Sequence, residues 1–157
     1  MALDLEHFVP LTKIRQFAPQ AVEDGAIFRG EVTLTIRAQD LSKVCQLLRD
    51  DPELNFKFLS DVTSVDHYPV EPRFETIYHL LSFKPYLRLR IKVRLPGDDP
   101  HVASTVPIWP GANAFEREVY DLMGIRFDGH PNMTRMLLPD DFEGHPLRKD
   151  YPTEGFR

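Results

Sequence analysis

Apolar and polar positions recur along this chain with two different periods, and the periods predict its secondary structure. A period of two, typical of strands with one buried face, marks four stretches: residues 26–38 (a hairpin), 56–66, 74–83 and 86–95. Spacings of three and four, typical of amphipathic helices, mark three others: residues 5–17, 41–48 and 113–123. From Ile125 onward neither period persists, so we expect mostly extended, irregular chain there.

Several residues predict where the first elements begin and end. The first helix carries its apolar residues at Leu5, Phe8, Leu11, Ile14 and Phe17, and Pro10 either breaks it or starts it afresh. We expect Gly30 to form the hairpin turn, Asp40 to be the N-cap of the second helix and Pro52 to stop that helix.

The third helix has its own boundary signals. Asn113 with Glu116 resembles a capping box, and Gly124 is placed to end the helix. The predicted apolar face of this helix consists of Phe115, Val119 and Leu122.

The element order is helix, two strands, helix, three strands, helix and tail. This order favours an α+β two-layer sandwich, in which helices cover one face of a mixed sheet of about five strands. Eight of the 14 prolines fall at or after Pro96, so regular structure should thin out in the second half. We therefore predict an α+β domain over residues 1–124 and an extended, proline-rich C-terminal tail over residues 125–157.

Composition narrows the function classes. A chain of 157 residues suits one domain, and its formal charge of −5 argues against a nucleic-acid binder. The single cysteine, Cys45, lies on an apolar helix face, where it is expected to be a small core residue in a reducing compartment. The N-terminus lacks the basic region of a signal peptide and no apolar run reaches membrane-spanning length, which favours a bacterial cytosolic protein.

The strand over residues 86–95 places four cations on one face: Arg88, Arg90, Lys92 and Arg94. The simplest interpretation is a sheet with one face on the core and one face in water. Because four like charges repel one another, something acidic should face them, either a neighbouring strand or a partner. Stacking aromatic residues are not interleaved with these cations, which makes nucleic acid a poor candidate for that partner.

Candidate catalytic chemistry is sparse. Asp66-His67 at a strand end is best interpreted as a turn, and neither dinucleotide- nor triphosphate-binding glycine motifs occur. Gly-His-Pro occurs twice, at His130 and His145. Metal ligation would need further ligands, so steering of the backbone by glycine and proline is the better interpretation. We predict no catalytic residue, no metal site and no cofactor in this chain.

The stretch from Glu116 to Pro152, "EREVYDLMGIRFDGHPNMTRMLLPDDFEGHPLRKDYP", resembles the 30-kDa, or C-type, subunit family of respiratory complex I, the NADH–quinone oxidoreductase. The matching residues are Glu116-Arg117-Glu118, Asp121, Leu122-Met123 and His130. The sequence departs from the family at Thr134, where a basic residue or proline is usual, although Arg135 follows directly. Residues 55–152 match well, and the first 50 residues match in element order alone.

The resemblance implies a structural subunit of the peripheral arm that binds no flavin, cluster or quinone. Its partners at the cytoplasmic face of the cell membrane would be subunits B, D and I of the complex, of which D holds the quinone site. Equivalent subunits occur in membrane-bound hydrogenases and F420H2 dehydrogenases, and a freestanding metal-dependent enzyme is a further alternative. The expected interface residues are Glu116, Arg117, Glu118, Asp121, His130, Arg135, His145, Arg148, Lys149, Asp150 and Tyr151.

Overall fold

The computed structural model describes residues 4–155. Within them lie three α-helices: α1 (Val9–Phe17), α2 (Leu41–Asp50) and α3 (Ala112–Met123). Five strands form the main sheet: β1 (Val22–Phe28), β2 (Glu31–Ile36), β3 (Phe58–Asp66), β4 (Phe74–Phe83) and β5 (Tyr86–Leu95). Two short strands form a second sheet: β6 (His101–Ala103) and β7 (Arg126–Asp128).

The main sheet has the order β1-β2-β5-β4-β3. β2 and β5 pair in parallel, and the other neighbours pair antiparallel. The mixed five-stranded sheet and the three helices confirm the predicted α+β class. The predicted turn at Gly30 is also confirmed, since Gly30 lies between β1 and β2 with φ +79°.

The core lies between the helices and one face of the sheet. From β5 it receives Leu89, Ile91 and Val93, which alternate with the cations as the sequence predicted. Ile14 of α1 and Cys45 of α2 are fully buried in the same cluster. Cys45 is therefore a core residue, as expected.

The opposite face of the sheet, here called the open face, carries the row of cations. Arg90 binds Glu31 of β2 at 2.7 Å, and Lys92 binds Glu75 of β4 at 2.8 Å. For these two residues, the expected acidic groups are on the neighbouring strands.

The predicted N-cap position of α2 is confirmed, because Asp40 occupies it, but the Asp40 side chain makes no capping hydrogen bond and instead accepts one from Nε of Arg37 at 3.1 Å. The capping box of α3 does not form either, because Glu116 turns into the core. The helix begins at Ala112, and Gly111 occupies the N-cap position.

The apolar faces of two helices also differ from expectation. α1 begins at Val9 with Pro10 in its first turn, and Phe17 is 58% exposed rather than buried. In α3, Val119 is buried as predicted, whereas Phe115 and Leu122 are half-buried. The buried face of α3 is therefore shifted by about one residue from the predicted face, with the Glu116 side chain inside the core.

The pairing of β6 with β7 was not predicted. Each strand has three residues, too few for a visible period of two. The pairing brings Ile125 and Phe127 into the core, so the tail begins inside the folded body. The division of the chain at Gly124 stays a prediction, and truncations meant to spare the core should begin after Gly129.

Candidate partner interface

The tail beyond β7 runs along the C-terminal half of α3 and is fixed there by buried polar groups. On its inner side α3 presents Glu116, Val119 and Met123 to the core. Asp121 points away from these residues, yet its side chain has no exposed surface. Its burial follows from the tail, which covers it.

The Asp121 carboxylate is the centre of this covering. Its Oδ2 accepts the backbone N–H groups of Met136 (3.0 Å), Leu137 (2.8 Å) and Leu138 (3.0 Å), while Oδ1 accepts Nη1 of Arg135 (2.7 Å). Burial alone would raise the pKa of Asp121, but the N–H of Leu138, the Arg135 guanidinium and the other two N–H groups lower the pKa to about 2. Asp121 is therefore ionised at neutral pH and holds three consecutive tail amides.

Arg135 closes the next part of the tail into a loop. Its guanidinium donates to the backbone carbonyls of Asp121 (3.1 Å), Phe142 (3.0 Å) and Gly144 (3.0 Å). It also lies over the Phe142 ring, 5.9 Å from the ring centroid. One side chain thus joins α3 to both ends of the segment 135–144, which has no regular structure of its own.

Farther along, the tail caps the C-terminus of α3. The last carbonyls of a helix have no partner within the helix and need donors from elsewhere. Tail residues supply them: His145 Nδ1 donates to Asp121 O (2.9 Å), Leu147 N–H to Leu122 O (3.0 Å) and Arg148 Nε to Met123 O (2.7 Å).

Gly124 permits this close approach. It ends α3 with φ +72°, the left-handed conformation that favours glycine, which confirms the predicted helix end. A Cβ atom at this position would lie 2.5 Å from the His145 ring and 2.6 Å from the Arg148 guanidinium. Burial lowers the pKa of His145, as do the positive charges of Arg148 and Arg135, while the Asp121 carbonyl partly opposes them.

The end of the tail is fixed to the sheet through Arg73. This side chain donates to Asp66 at the end of β3 (2.9 and 2.8 Å) and to Asp150 of the tail (3.0 and 2.5 Å). Asp66 also accepts the N–H of Lys149 at 2.8 Å. Burial would raise the pKa of Asp66, but these bonds together with the N–H of Tyr68 hold it well below its usual range.

The expected turn at Asp66-His67 is present, since Asp66 ends β3 and accepts the N–H of Tyr68. The sequence did not predict that Asp66 contacts the tail. Arg73 and Asp150 are 77 residues apart in the sequence, and no local pattern predicts that they pair. Only the resemblance, which included Asp150 among interface residues, pointed to this end of the chain.

Thr134 has a partner within the chain. Arg117 of α3 donates to the Thr134 hydroxyl (3.1 Å), to the Thr134 carbonyl (3.1 Å) and to the Arg135 carbonyl (2.9 Å). A cationic side chain at position 134 would face this guanidinium. The departure from the family pattern is thus accommodated by a hydrogen bond that a hydroxyl can accept.

The two histidines bind different backbone carbonyls. His130 contacts the Asn113 carbonyl at 3.2 Å, whereas His145 contacts the Asp121 carbonyl. The preceding glycines, Gly129 and Gly144, have φ +82° and +83°, so each Gly-His-Pro turns the backbone as expected. Across residues 4–155, no group of three or more His, Cys, Asp or Glu side chains is arranged to hold a metal ion.

The remaining expected interface residues differ in position. Glu118 is exposed on α3, and Lys149 is exposed at the end of the tail. Tyr151 is half-buried, donates to the Glu143 carbonyl at 3.3 Å and stacks on Phe142 with centroids 6.4 Å apart. Glu116 stands apart, because it is buried in the core.

The outward side of the tail carries three apolar side chains beside charged ones such as Asp140, Asp141 and Glu143. Met136, Leu137 and Leu147 are 38%, 58% and 55% exposed, although their neighbours are fixed to α3. In the part of the chain that the structure describes, no helix has the length and apolar character needed to cross a membrane. The geometry therefore combines a pinned backbone with apolar side chains facing outward.

Comparison with known proteins gives the family. Residues 34–157 match the family model of the respiratory-chain NADH dehydrogenase 30 kDa subunit. The chain is 46% identical over 152 residues to the C-type subunit of the NADH-quinone oxidoreductase of Roseiflexus sp. (strain RS-1), covering 97% of this chain and 86% of that protein.

Two solved structures are similar at 27% identity. One is a trypsin-resistant fragment (1-134) of Nqo5, with a TM-score of 0.62, covering 78% of this chain and 98% of that chain. The other is a chain of the membrane-bound sulfane sulfur reductase, an archaeal respiratory membrane complex, with a TM-score of 0.77, covering 91% of this chain and 84% of that chain. The matched region includes all of α3 and the tail, and the chain belongs to the family of the 30 kDa subunit of respiratory-chain NADH dehydrogenase.

Proposed function

We propose that this chain is a non-catalytic structural subunit of the peripheral arm of a proton-pumping NADH–quinone oxidoreductase. In this proposal the tail docks on the quinone-site subunit, with subunits B and I as neighbours, and helps to position the subunits that pass electrons to quinone. The chain associates with the cytoplasmic face of the cell membrane through the complex alone.

One observation carries the proposal: the tail is fixed to its own domain with apolar side chains outward. The polar anchors Asp121, Arg135 and Arg148 are used within the chain, and Met136, Leu137 and Leu147 remain exposed. A segment that is ordered before docking loses less conformational entropy when it binds. Exposed apolar groups on such a segment are suited to be the anchors of a protein interface.

The pinned residues therefore support docking indirectly. Arg135, His145, Arg148 and Asp150 shape the tail rather than reach the partner, while Glu118 and Lys149 are free to face it. Family membership supports a partner within such a complex, because the related Roseiflexus protein is named as a subunit of NADH-quinone oxidoreductase.

A second candidate is the equivalent subunit of a related membrane complex with another electron donor, such as a hydrogenase or an F420H2 dehydrogenase. The observation that favours it is the similarity to a chain of an archaeal sulfane sulfur reductase, at a TM-score of 0.77. This similarity supports a place for the same fold in a respiratory membrane complex other than NADH–quinone oxidoreductase.

The test is co-purification of the tagged chain with the quinone-site subunit. Leu137→Ser combined with Leu147→Ser should weaken co-purification by about tenfold or more, because each exposed leucine contributes on the order of 1 kcal/mol when buried at an interface. The matched control is Val70→Ser, which removes an equally exposed apolar side chain, 63% accessible, from a loop outside the tail.

Full-strength co-purification of the double variant would contradict the tail assignment. A chain ending at Gly129 keeps β7 and the core and should not co-purify at all. Electron transfer from NADH to quinone in membranes carrying the wild-type chain then separates the leading proposal from the second candidate.

A further inference from the structure

A second exposed surface lies on the open face, at the end of the sheet that holds the β1–β2 and β4–β5 turns. Four aromatic residues stand there, called the aromatic rim: Phe28 (68% exposed), Phe58 (47%), Phe83 (61%) and Tyr86 (65%). The Phe58 and Phe83 rings are 5.9 Å apart, and Phe83 pairs with Tyr86 across the β4–β5 turn. Phe28 pairs with Glu31, whose carboxylate lies on the open face beside Arg90.

A groove of about 260 Å³ adjoins the aromatic rim. Its side walls include Ser60 of β3, His79 and Leu81 of β4, and Arg88 and Arg90 of β5. Arg88 is two residues from Tyr86 on one strand, so both side chains point to the open face. The groove is therefore basic along β5, with Glu31 beside Arg90, and the aromatic rim borders it.

The charges at this end are unbalanced. Arg90 is paired with Glu31, whereas Arg88 donates to the Tyr86 hydroxyl at 3.4 Å and forms no ion pair within residues 4–155. Arg29 lies over the Phe28 ring at 5.2 Å, and Lys57 and Lys84 are exposed nearby. In a chain with a formal charge of −5, this concentration of cations is complementary to an acidic partner.

We propose that the aromatic rim and its groove dock an acidic, apolar-anchored segment of a neighbouring protein subunit. A carboxylate of that segment enters the groove and binds Arg88, while its apolar side chains cover the aromatic rim. Aromatic residues and arginine are the side chains enriched where protein interfaces bury their centres. A second copy of this chain fits less well, because a two-fold contact would bring the same cations together.

This surface is separate from the tail, so the proposal stands whether or not the tail binds the quinone-site subunit. The experiment uses the full chain, alone and within the complex purified from membranes. Cys45 is fully buried, and burial raises the pKa of its thiol, so a cysteine introduced at the surface is the reactive one.

In Ser60→Cys the thiol reports on the groove, and in Ser42→Cys, on the outer side of α2, it reports on general access of a maleimide reagent. We expect labelling at position 60 to be at least about tenfold slower in the complex than in the isolated chain, since interfaces exclude water. Labelling at position 60 at equal rates in both forms overturns the proposal.

Arg88→Lys identifies the chemistry of the occupant. A carbodiimide joins an amine to a carboxylate only when the two are in contact, so the new amine should link to an Asp or Glu of another subunit. Arg15→Lys, an exposed position on α1, is the control for random linking. Links only within this chain, or between two copies of it, overturn the proposal, as would binding of a single-stranded oligonucleotide that Arg88→Glu abolishes.

Discussion

Gly124 shows how much one residue decides at the junction of α3 and the tail. It needs the left-handed conformation to end the helix, and it needs the missing Cβ so that His145 and Arg148 can approach. Only the first need was foreseeable from sequence, since glycine after an apolar helix face is a common stop. The second need depends on which residues, distant in the sequence, pack against Gly124, and no local sequence pattern predicts this packing.

Gly124→Ala should therefore loosen the tail as well as strain the backbone. The left-handed backbone costs about 1–2 kcal/mol for alanine, and displacing His145 and Arg148 adds roughly 1–3 kcal/mol. Urea unfolding and limited proteolysis of the tail measure the two effects.

Gly129→Ala is the matched control, because Gly129 has φ +82° but nothing within 4 Å of an added Cβ. Gly129→Ala should lose only the stability that the left-handed backbone costs an alanine, and its tail should stay resistant to protease. Equal losses in the two variants would show that the contact with His145 and Arg148 contributes nothing.

Other single residues were misjudged for one shared reason. The Glu116 and Asp40 side chains were predicted to make capping bonds, but each binds another partner: Ser104 and Thr105 for Glu116, and the neighbouring Arg37 side chain for Asp40. Sequence spacing predicts caps well only when no better partner is near.

At the scale of elements, the strands and helices were predictable because their apolar periods are strong. The path of the tail was not. It is extended and irregular, as proline content indicated, but its position along α3 is set by Asp121 and Arg135, whose partners are mostly backbone groups. Backbone partners leave no trace in the sequence, which explains the difference.

Asp121→Asn should release this segment. An amide has no negative charge and one acceptor oxygen instead of two, so it cannot neutralise the Arg135 guanidinium and accept the three N–H groups at once. The variant therefore leaves a half-buried charge without an ion-pair partner, at a cost of about 3 kcal/mol. Hydrogen exchange at the amides of Met136, Leu137 and Leu138 should accelerate. Glu118→Gln, on the exposed side of the same helix, should leave that exchange unchanged; protection that survives Asp121→Asn would remove Asp121 from its central role.

Acid should have the same effect on the wild-type chain. The pKa of Asp121 is lowered to about 2 in the folded protein, against about 3.9 in an unfolded chain. Its stabilisation is complete above about pH 4 and is lost as the pH falls towards 2, a difference of roughly 2–3 kcal/mol. Amide exchange at Leu137 followed from pH 5 to pH 2 checks this, with Asp121→Asn as the variant that should lack the transition.

At the scale of the whole molecule, Glu116 places a carboxyl group in the shared core. Its oxygens accept the Ser104 hydroxyl (2.6 Å) and both the N–H and the hydroxyl of Thr105 (2.7 Å each). Burial raises the pKa of Glu116, and these bonds offset part of the rise. The residue joins α3 to the segment after β6, but its ionised form carries a desolvation cost.

Glu116→Gln should accordingly match or exceed the wild-type free energy of unfolding at pH 7. The amide oxygen can still accept from Thr105, and the amide nitrogen can donate to the Ser104 hydroxyl. Because the folded pKa lies above the unfolded value of about 4.3, the wild type gains stability as the pH falls from the folded pKa to that value. The difference in free energy of unfolding between the wild type and Glu116→Gln should therefore shrink as the pH falls.

Urea unfolding at several pH values between 7 and 4 measures this difference. Glu116→Leu is the informative control, because it leaves the buried Thr105 N–H without a partner and should lose about 2 kcal/mol or more at every pH. A glutamine variant as unstable as the leucine variant would mean that the negative charge itself is needed.

The pinning of the tail through its backbone has a consequence for how this protein can change over time. Its course depends on a handful of inward side chains, among them Asp121, Arg135 and Arg148, and on the left-handed glycines. The outward positions, such as Leu137 and Leu147, contribute little to the fold of their own chain. Substitutions at these positions can accumulate together with substitutions in the partner surface. The same fold can therefore bind partners whose sequences diverge.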